Sequence, residues 1–225
     1  MKAQNILVIG IVGNLAQGLV KQLIEENCEC NIVGVDSRSV DNISMGPQLR
    51  CKQMSYSRNQ FEKLFREEKF DVVYHLARMS HATAGLLQNF EERLDLNLMG
   101  TRRILDLSLK YEVKKMVILS TYHVYGALSD NPVLLNEDFP LRASIRYPEL
   151  RDVVEMDHIA TNWMWKNQRD IQTVVLRPCN VIGPNLRNTM TQYLMTNYVP
   201  VCADFNPMFQ FISEQDMARI LKLSL

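Results

Sequence analysis

The chain has 225 residues, enough to bury one substantial core. Hydrophobic residues make up 47% and charged residues 22%, a balance that suits a globular domain and argues against a disordered or fibrous chain. Its 25 Lys and Arg match its 25 Asp and Glu, so no overall field favours nucleic acid or an anionic membrane as partner.

The first element in chain order is Asn5–Ile9, which contains the apolar run Ile6-Leu7-Val8-Ile9. It is too short for a membrane span, has no cleavage-site pattern after it, and reads as a buried strand. A helix is expected over Leu15–Glu26, a strand over Cys30–Val35, a shorter strand near Leu49–Gln53 and a helix over Asn59–Glu68. A strand over Asp71–Leu76 precedes a long helix from about Leu87 to Tyr111. A strand over Lys115–Ser120, a helix over Pro148–Gln168 and a strand over Thr173–Arg177 continue the alternation. The sequence closes in a helix, Glu214–Leu225, without a stop signal, and the native chain is expected to continue.

Strands alternating with helices imply βαβ units, hence an α/β fold: a doubly wound parallel sheet with helices on both faces. The unbroken apolar runs Ile6–Ile9 and Met116–Leu119 suit strands buried on both sides. Gly126–Tyr147 lacks clear periodicity and follows the C-terminal end of a strand, the edge where parallel-sheet proteins bind ligands. The five cysteines are scattered and odd in number, which reads as a reducing cytoplasm. No metal site is expected, because Cys28-x-Cys30 lacks a second half.

The chemistry is concentrated after the first strand, in Gly10-Ile11-Val12-Gly13-Asn14-Leu15-Ala16. The first glycine permits a tight turn, the second lets backbone approach a pyrophosphate, and small Ala16 lets helix and strand pack closely. The helix N-terminus then offers N–H groups and a partial positive charge to phosphates, with Val12, Asn14 and Leu15 alongside. Asp36, followed by Ser37, lies 20 residues beyond Ala16 at the end of the second strand. An acid there accepts from the adenosine ribose hydroxyls and repels a 2′-phosphate, so this Rossmann-type domain is expected to prefer NAD to NADP. Arg38 softens that preference.

Four more motifs follow in order: Asp71-Val-Val-Tyr-His75-Leu-Ala77, Asn97-Leu-Met-Gly100-Thr101, Leu119-Ser-Thr-Tyr-His-Val-Tyr125-Gly126, and Leu176-Arg-Pro178-Cys-Asn180-Val-Ile-Gly-Pro184. With these the chain resembles the extended short-chain dehydrogenase/reductase family of NAD-dependent sugar epimerases and dehydratases, from Ile6 to about Ala218. The resemblance implies that Leu76, Ala77 and Arg78 lie against the phosphate–ribose portion of NAD. It implies that Asn97 is a structural or cofactor-supporting residue on the long helix, and that Pro178, Cys179 and Asn180 line the nicotinamide end. Thr121 matches the family's catalytic Ser/Thr, whose hydroxyl bonds the reacting oxygen. His123 beside it is a further candidate for substrate contact.

Two positions depart from the family pattern. Where an Asp often holds the adenine, this chain has Ser55 and Tyr56. The catalytic Tyr-x-x-x-Lys becomes Tyr147-Pro-Glu-Leu-Arg151, so Arg151 keeps the charge without the ammonium's geometry. The resemblance implies an NAD-dependent oxidoreductase acting on a hydroxyl or carbonyl of a nucleotide-sugar-like substrate, with a homodimer left open. The alternative is a catalytically weak or inactive NAD-binding sensor or assembly protein. Residues 1–184 are expected to form the NAD-binding domain. Residues 185–225 would begin a partial substrate-binding region continuing the same domain.

Overall fold

The structure, a computed structural model, describes residues 4–26, 29–78, 90–201, 203–204 and 208–225. Six parallel strands form its sheet: β1 (Gln4–Ile9), β2 (Cys30–Asp36), β3 (Leu49–Gln53), β4 (Val72–His75), β5 (Lys115–Leu119) and β6 (Gln172–Leu176). Their spatial order is β3-β2-β1-β4-β5-β6, so the chain reverses direction across the sheet between β1 and β4. Such a reversal leaves a crevice at the C-terminal ends of the central strands, where doubly wound sheets hold ligands.

Alternate residues of each central strand serve opposite faces, as the two-residue period of a strand requires. Ile6 and Val8 join Ala16, Leu19 and Leu23 of α1 (Asn14–Glu25) and Met217 and Leu221 of the last helix in one buried cluster. Leu7 and Ile9 join Phe61 and Phe65 of α2 (Arg58–Glu67), Ile104 and Leu105, and Ala160 in the other. Both faces are therefore covered, and the expected fold class holds.

The expected elements stand to within a residue or two, with three differences of kind. The long helix is described from Phe90 onward; residues 87–89 lie outside the described residues. It runs as α3 (Phe90–Leu94), a wider π-helical turn over Asp95–Gly100, then α4 (Thr101–Lys110). The helix expected at Pro148 starts as a 3₁₀ turn, Pro148–Leu150, with proline at its first position, and becomes α-helical from Arg151. Between Gly126 and Tyr147 there is one short helix, α5 (Ala143–Arg146), ahead of α6 (Arg151–Lys166).

Beyond residue 177 the structure adds a second, two-stranded parallel sheet that periodicity did not reveal. In it β7 (Asn180–Ile182) pairs with β8 (Phe211–Ser213). Between them lies α7 (Thr189–Leu194), started by a reciprocal cap in which Asn188 accepts from Thr191 N–H and Thr191 from Asn188 N–H. The last helix, α8 (Glu214–Leu223), packs along α1, and the buried Tyr74 hydroxyl donates to Leu221 O at 3.0 Å. Residues 214–223 thus share the core of the main sheet.

Candidate functional site

The C-terminal strand ends bring most of the expected residues to one edge. Gly10 turns the chain out of β1 at φ +93°, the left-handed region that favours glycine. Its N–H donates to Val35 O at 2.8 Å, and Gly13 N–H donates to Gly10 O at 2.9 Å, closing the loop. A Cβ on Gly10 would lie 2.8 Å from Ala77 N, so this glycine also lets the β1 and β4 ends approach. Gly13 is the N-cap of α1 and makes no side-chain capping bond, leaving the first helical N–H groups to a ligand anion. Asn14 and Leu15 open the helix; the Asn14 amide donates to Asn185 O, bringing residues 183–186 over the loop.

Asp36 ends β2 almost fully buried. Its Oδ2 accepts from Val12 N–H at 3.1 Å, which ties the strand end to the glycine loop. Burial pushes its carboxyl upward, but hydrogen bonds from Arg38 and Val12, with the Arg38 charge, hold it below the ordinary carboxylate range. Ser37 is exposed, and its carbonyl accepts from Gln53 at 3.1 Å. Ser55 donates to Gln60 Oε1 at 3.1 Å, while Tyr56 packs its ring 5.7 Å from that of Phe61. Burial, then the Asp36 charge, raises the Tyr56 phenol, which stays neutral.

Leu76 and Ala77 follow β4 beside Gly10, and Arg78 comes next. Burial draws the Arg78 guanidinium down, opposed by the Asp152 carboxylate. Asn97, within the π-helical turn, is fully buried and donates to Asp152 Oδ2 at 2.7 Å. Arg93, also fully buried, stands 3.5 Å from the same carboxylate and donates to Glu149 O at 3.0 Å. This buried charged cluster between α3 and α6 was not foreseen, because its members lie 55–59 residues apart with no shared period.

Thr121, just past β5, accepts from His123 N–H, and its Oγ1 lies 2.9 Å from His123 Nδ1. The residue before it is anchored: Ser120 Oγ donates to Asp157 Oδ2 on α6. Asp157 also receives Arg177 Nε at 2.9 Å and Nη2 at 2.8 Å. Arg177 reaches on to the Tyr125 hydroxyl at 2.9 Å and Glu137 O at 2.8 Å. One buried ion pair thereby fixes the ends of β5 and β6, α6 and the irregular segment. Pro178 accepts from Tyr122 N–H at 3.2 Å, and Asn180 Oδ1 from the Tyr122 hydroxyl at 2.8 Å, setting both beside Thr121.

The expected dyad is less closely gathered. Tyr147 sits after α5, and its hydroxyl donates to Ala127 O at 3.1 Å, two residues past the Thr121 turn. Arg151 opens α6 exposed, and among the described residues it has no hydrogen-bond or ion-pair partner. Asp157, which marks the helix face toward β5, lies six residues on; at about 100° per residue Arg151 points about 120° away from it. The residue sharing the Asp157 face one turn earlier is Val153, fully buried and without a polar atom.

At the opposite, N-terminal edge of the sheet a cavity of about 350 Å³ lies among Gln4, Asp71, Lys114 and Gln172. There Lys114 and Asp71 pair at 2.6 Å, so the cavity offers little chemistry. No group of three metal-binding side chains occurs among the described residues, and no described helix is long and apolar enough to cross a membrane.

A doubly wound parallel sheet with a glycine turn, an uncapped helix N-terminus and a strand-end acid defines the Rossmann-type dinucleotide-binding class. Residues 6–225 match the family described as NAD dependent epimerase/dehydratase, and the chain belongs to that family. A UDP-glucose 4-epimerase of Pisum sativum is 29% identical over 193 residues, covering 80% of this chain and 53% of that protein. The dTDP-D-glucose 4,6-dehydratase of Homo sapiens is 26% identical over 191 residues, covering 81% and 53%. Among solved structures, the Bacillus anthracis dTDP-glucose 4,6-dehydratase in complex with NAD superposes with a TM-score of 0.78 at 22% identity, covering 98% of this chain and 71% of that one. The Thermotoga maritima UDP-glucose 4-epimerase with UDP-glucose gives 0.78 at 22%, covering 96% and 71%. At such identity these structures establish the fold. The chain spans about half the length of these two curated relatives.

Proposed function

We propose that this chain binds NAD along the edge from Asp36 through Gly10–Leu15 to Asn180, and acts as an epimerase/dehydratase-type oxidoreductase on a nucleotide-sugar-like substrate. The observation that carries the reading is convergence. The uncapped α1 N-terminus, the buried Asp36 and Thr121 all lie at C-terminal strand ends around the β1/β4 reversal. When bound, NAD supplies the hydride chemistry. Thr121 Oγ would hold the reacting oxygen, Tyr147 would take or give its proton, and Arg151 would supply positive charge to that phenol. Residues 1–184 would hold the cofactor, with the substrate beginning to be met by the segment after 184. Cys51 and Cys179, which form no disulfide, would suit a reducing, cytoplasmic setting.

The test is conversion of UDP-glucose, UDP-glucuronate and dTDP-glucose by NAD-supplemented protein. Tyr147→Phe is expected to lower the rate about 10²-fold or more. A rate that survives this change unaltered removes Tyr147 from the mechanism.

A second reading is a dinucleotide-binding protein with little or no turnover. It is favoured by the exposed Arg151, without an ion-pair partner among the described residues, and by Val153 on the face toward β5. It predicts NAD binding without conversion of any sugar nucleotide, and the same NAD affinity in Tyr147→Phe.

A further inference from the structure

Thr121 does not hold its hydroxyl alone. It heads the 3₁₀ turn Tyr122–Tyr125, and its Oγ1 accepts from His123 N–H at 3.4 Å. The same Oγ1 lies 2.9 Å from His123 Nδ1, close enough for a hydrogen bond in either direction. The imidazole is exposed, and a neighbour sets its place: its ring centroid lies 4.2 Å from that of Tyr122. The Tyr122 hydroxyl in turn donates to Asn180 Oδ1 at 2.8 Å. Imidazole, threonine and Asn180 thus share one small platform at the C-terminal end of β5.

A hydroxyl has one proton to give and two lone pairs to fill, so a fixed neighbour decides what it can offer a third group. With Nδ1 bare, the Thr121 O–H donates to it. The His123 backbone N–H fills one lone pair, and the other is left to accept from an alcohol. With Nδ1 protonated, both lone pairs are taken by this chain's own donors, and the Thr121 proton is left to donate to a carbonyl. An imidazole ordinarily changes between these forms at about pH 6.5. Other ionisable groups at this strand end do not. Burial, first among the causes, raises both the Tyr122 phenol and the Cys179 thiol, which stay neutral there. Behind Ser120, Asp157 and Arg177 neutralise each other as an ion pair at 2.8 Å.

We propose that His123 is a positioning residue that sets the direction of the Thr121 hydroxyl. As a bare imidazole it readies Oγ1 to accept from a substrate alcohol; as an imidazolium it readies the hydroxyl to donate to a substrate carbonyl. The inference rests on the proposed function and deepens it, by giving Thr121 a pH-dependent preference between the two forms of the substrate. No proton passes between His123 and the substrate, and the switch is a rotation of the Thr121 O–H. Alcohol oxidation is favoured above the His123 midpoint and carbonyl reduction below it.

The experiment follows His123 by nitrogen NMR in histidine-labelled protein with NAD present, its signals identified among the four histidines by their loss in His123→Asn. The exposed side chain makes this variant expected to fold, checked by unchanged circular dichroism. The neutral ring is expected to carry its proton on Nε2. Thr121→Val is expected to move the His123 midpoint by about 0.5 pH or more, the size of one lost hydrogen bond. In parallel, oxidation of UDP-glucose, UDP-glucuronate and dTDP-glucose by NAD-supplemented protein is followed as nicotinamide reduction across the same pH range. The wild-type rate should rise with pH at the NMR midpoint. His123→Asn should lose that step, while the residual rate of Tyr147→Phe should keep it, which separates the imidazole from the phenol. A proton on Nδ1 of the neutral ring, or a step unchanged in His123→Asn, would overturn the inference and leave the proposed function standing. No oxidation of any of the three by the wild type would overturn the proposed function, and this inference with it.

Discussion

Gly10 and His75 carry consequences that a single substitution can expose. At Gly10 a Cβ would stand 2.8 and 2.9 Å from the Ala77 backbone in a conformation with φ +93°. Both neighbours are strand-end backbone and cannot move aside cheaply. Gly10→Ala is therefore expected to destabilise the fold by about 1–3 kcal/mol, read by denaturant unfolding. Unchanged stability would mean that β1 and β4 do not approach as closely as described. His75 is buried on β4, its Nε2 2.8 Å from Thr101 Oγ1, and burial lowers its pKa from 6.5 to about 4. The unfolded chain then binds a proton that the folded one refuses between those values. Stability from this group is complete above about pH 6.5 and declines as pH falls toward about 4, by about 3 kcal/mol in all. His75→Gln should flatten the melting-temperature profile across that window; an unchanged slope would contradict the assignment. The glycines and Asp36 were legible from spacing alone, since backbone needs restrict which residues can stand there. The Arg38 contact was not, because a side-chain conformation leaves no periodic trace.

Among the elements, α6 is anchored by Asp157 as well as by its apolar stripe of Val153, Val154, Met156 and Ala160. That carboxylate is fully buried and joins Ser120, Thr161 and Arg177, whose side chain is 13% exposed. The hydrogen bonds it donates to Asp157, first among the causes, hold the Arg177 guanidinium firmly charged. Asp157→Ala would strand that charge in a largely buried position, at a cost of about 3–5 kcal/mol. Denaturant unfolding measures this, and a loss under about 1 kcal/mol would show that Arg177 finds water or another partner. Ser120 and Arg177 lie 37 and 20 residues from Asp157. Pairs so far apart in sequence give no local signal, which is why the clamp was invisible while β1, β2, α1 and α2 were read to within a residue or two. The π-helical turn at Asp95–Gly100 was hidden for a related reason: buried Asn97 and Arg93 reach Asp152 on α6, a tertiary demand on the local helix. By contrast, Asn188 and Thr191 carried a capping signature three residues apart that could have located α7. β7 and β8, three residues each, are too short for alternation to register.

For the whole molecule, the alternation of elements determined the α/β class, and the order of the motifs determined the family. What the sequence left open is how far the dyad at Tyr147 and Arg151 departs from a working pair, since that depends on where two turns of α6 point. The central claim is that dinucleotide binds at the glycine turn after β1. It is tested most directly by calorimetric titration of NAD into the wild type and Gly13→Val. A Cβ at Gly13 would meet only Gly10 O, at 3.2 Å, so the fold should persist while the valine side chain fills the space a pyrophosphate needs. The account predicts one NAD bound per wild-type chain and no measurable binding to Gly13→Val, with matching circular dichroism spectra. Equal NAD affinity in the two proteins, or no binding to the wild type, would contradict it.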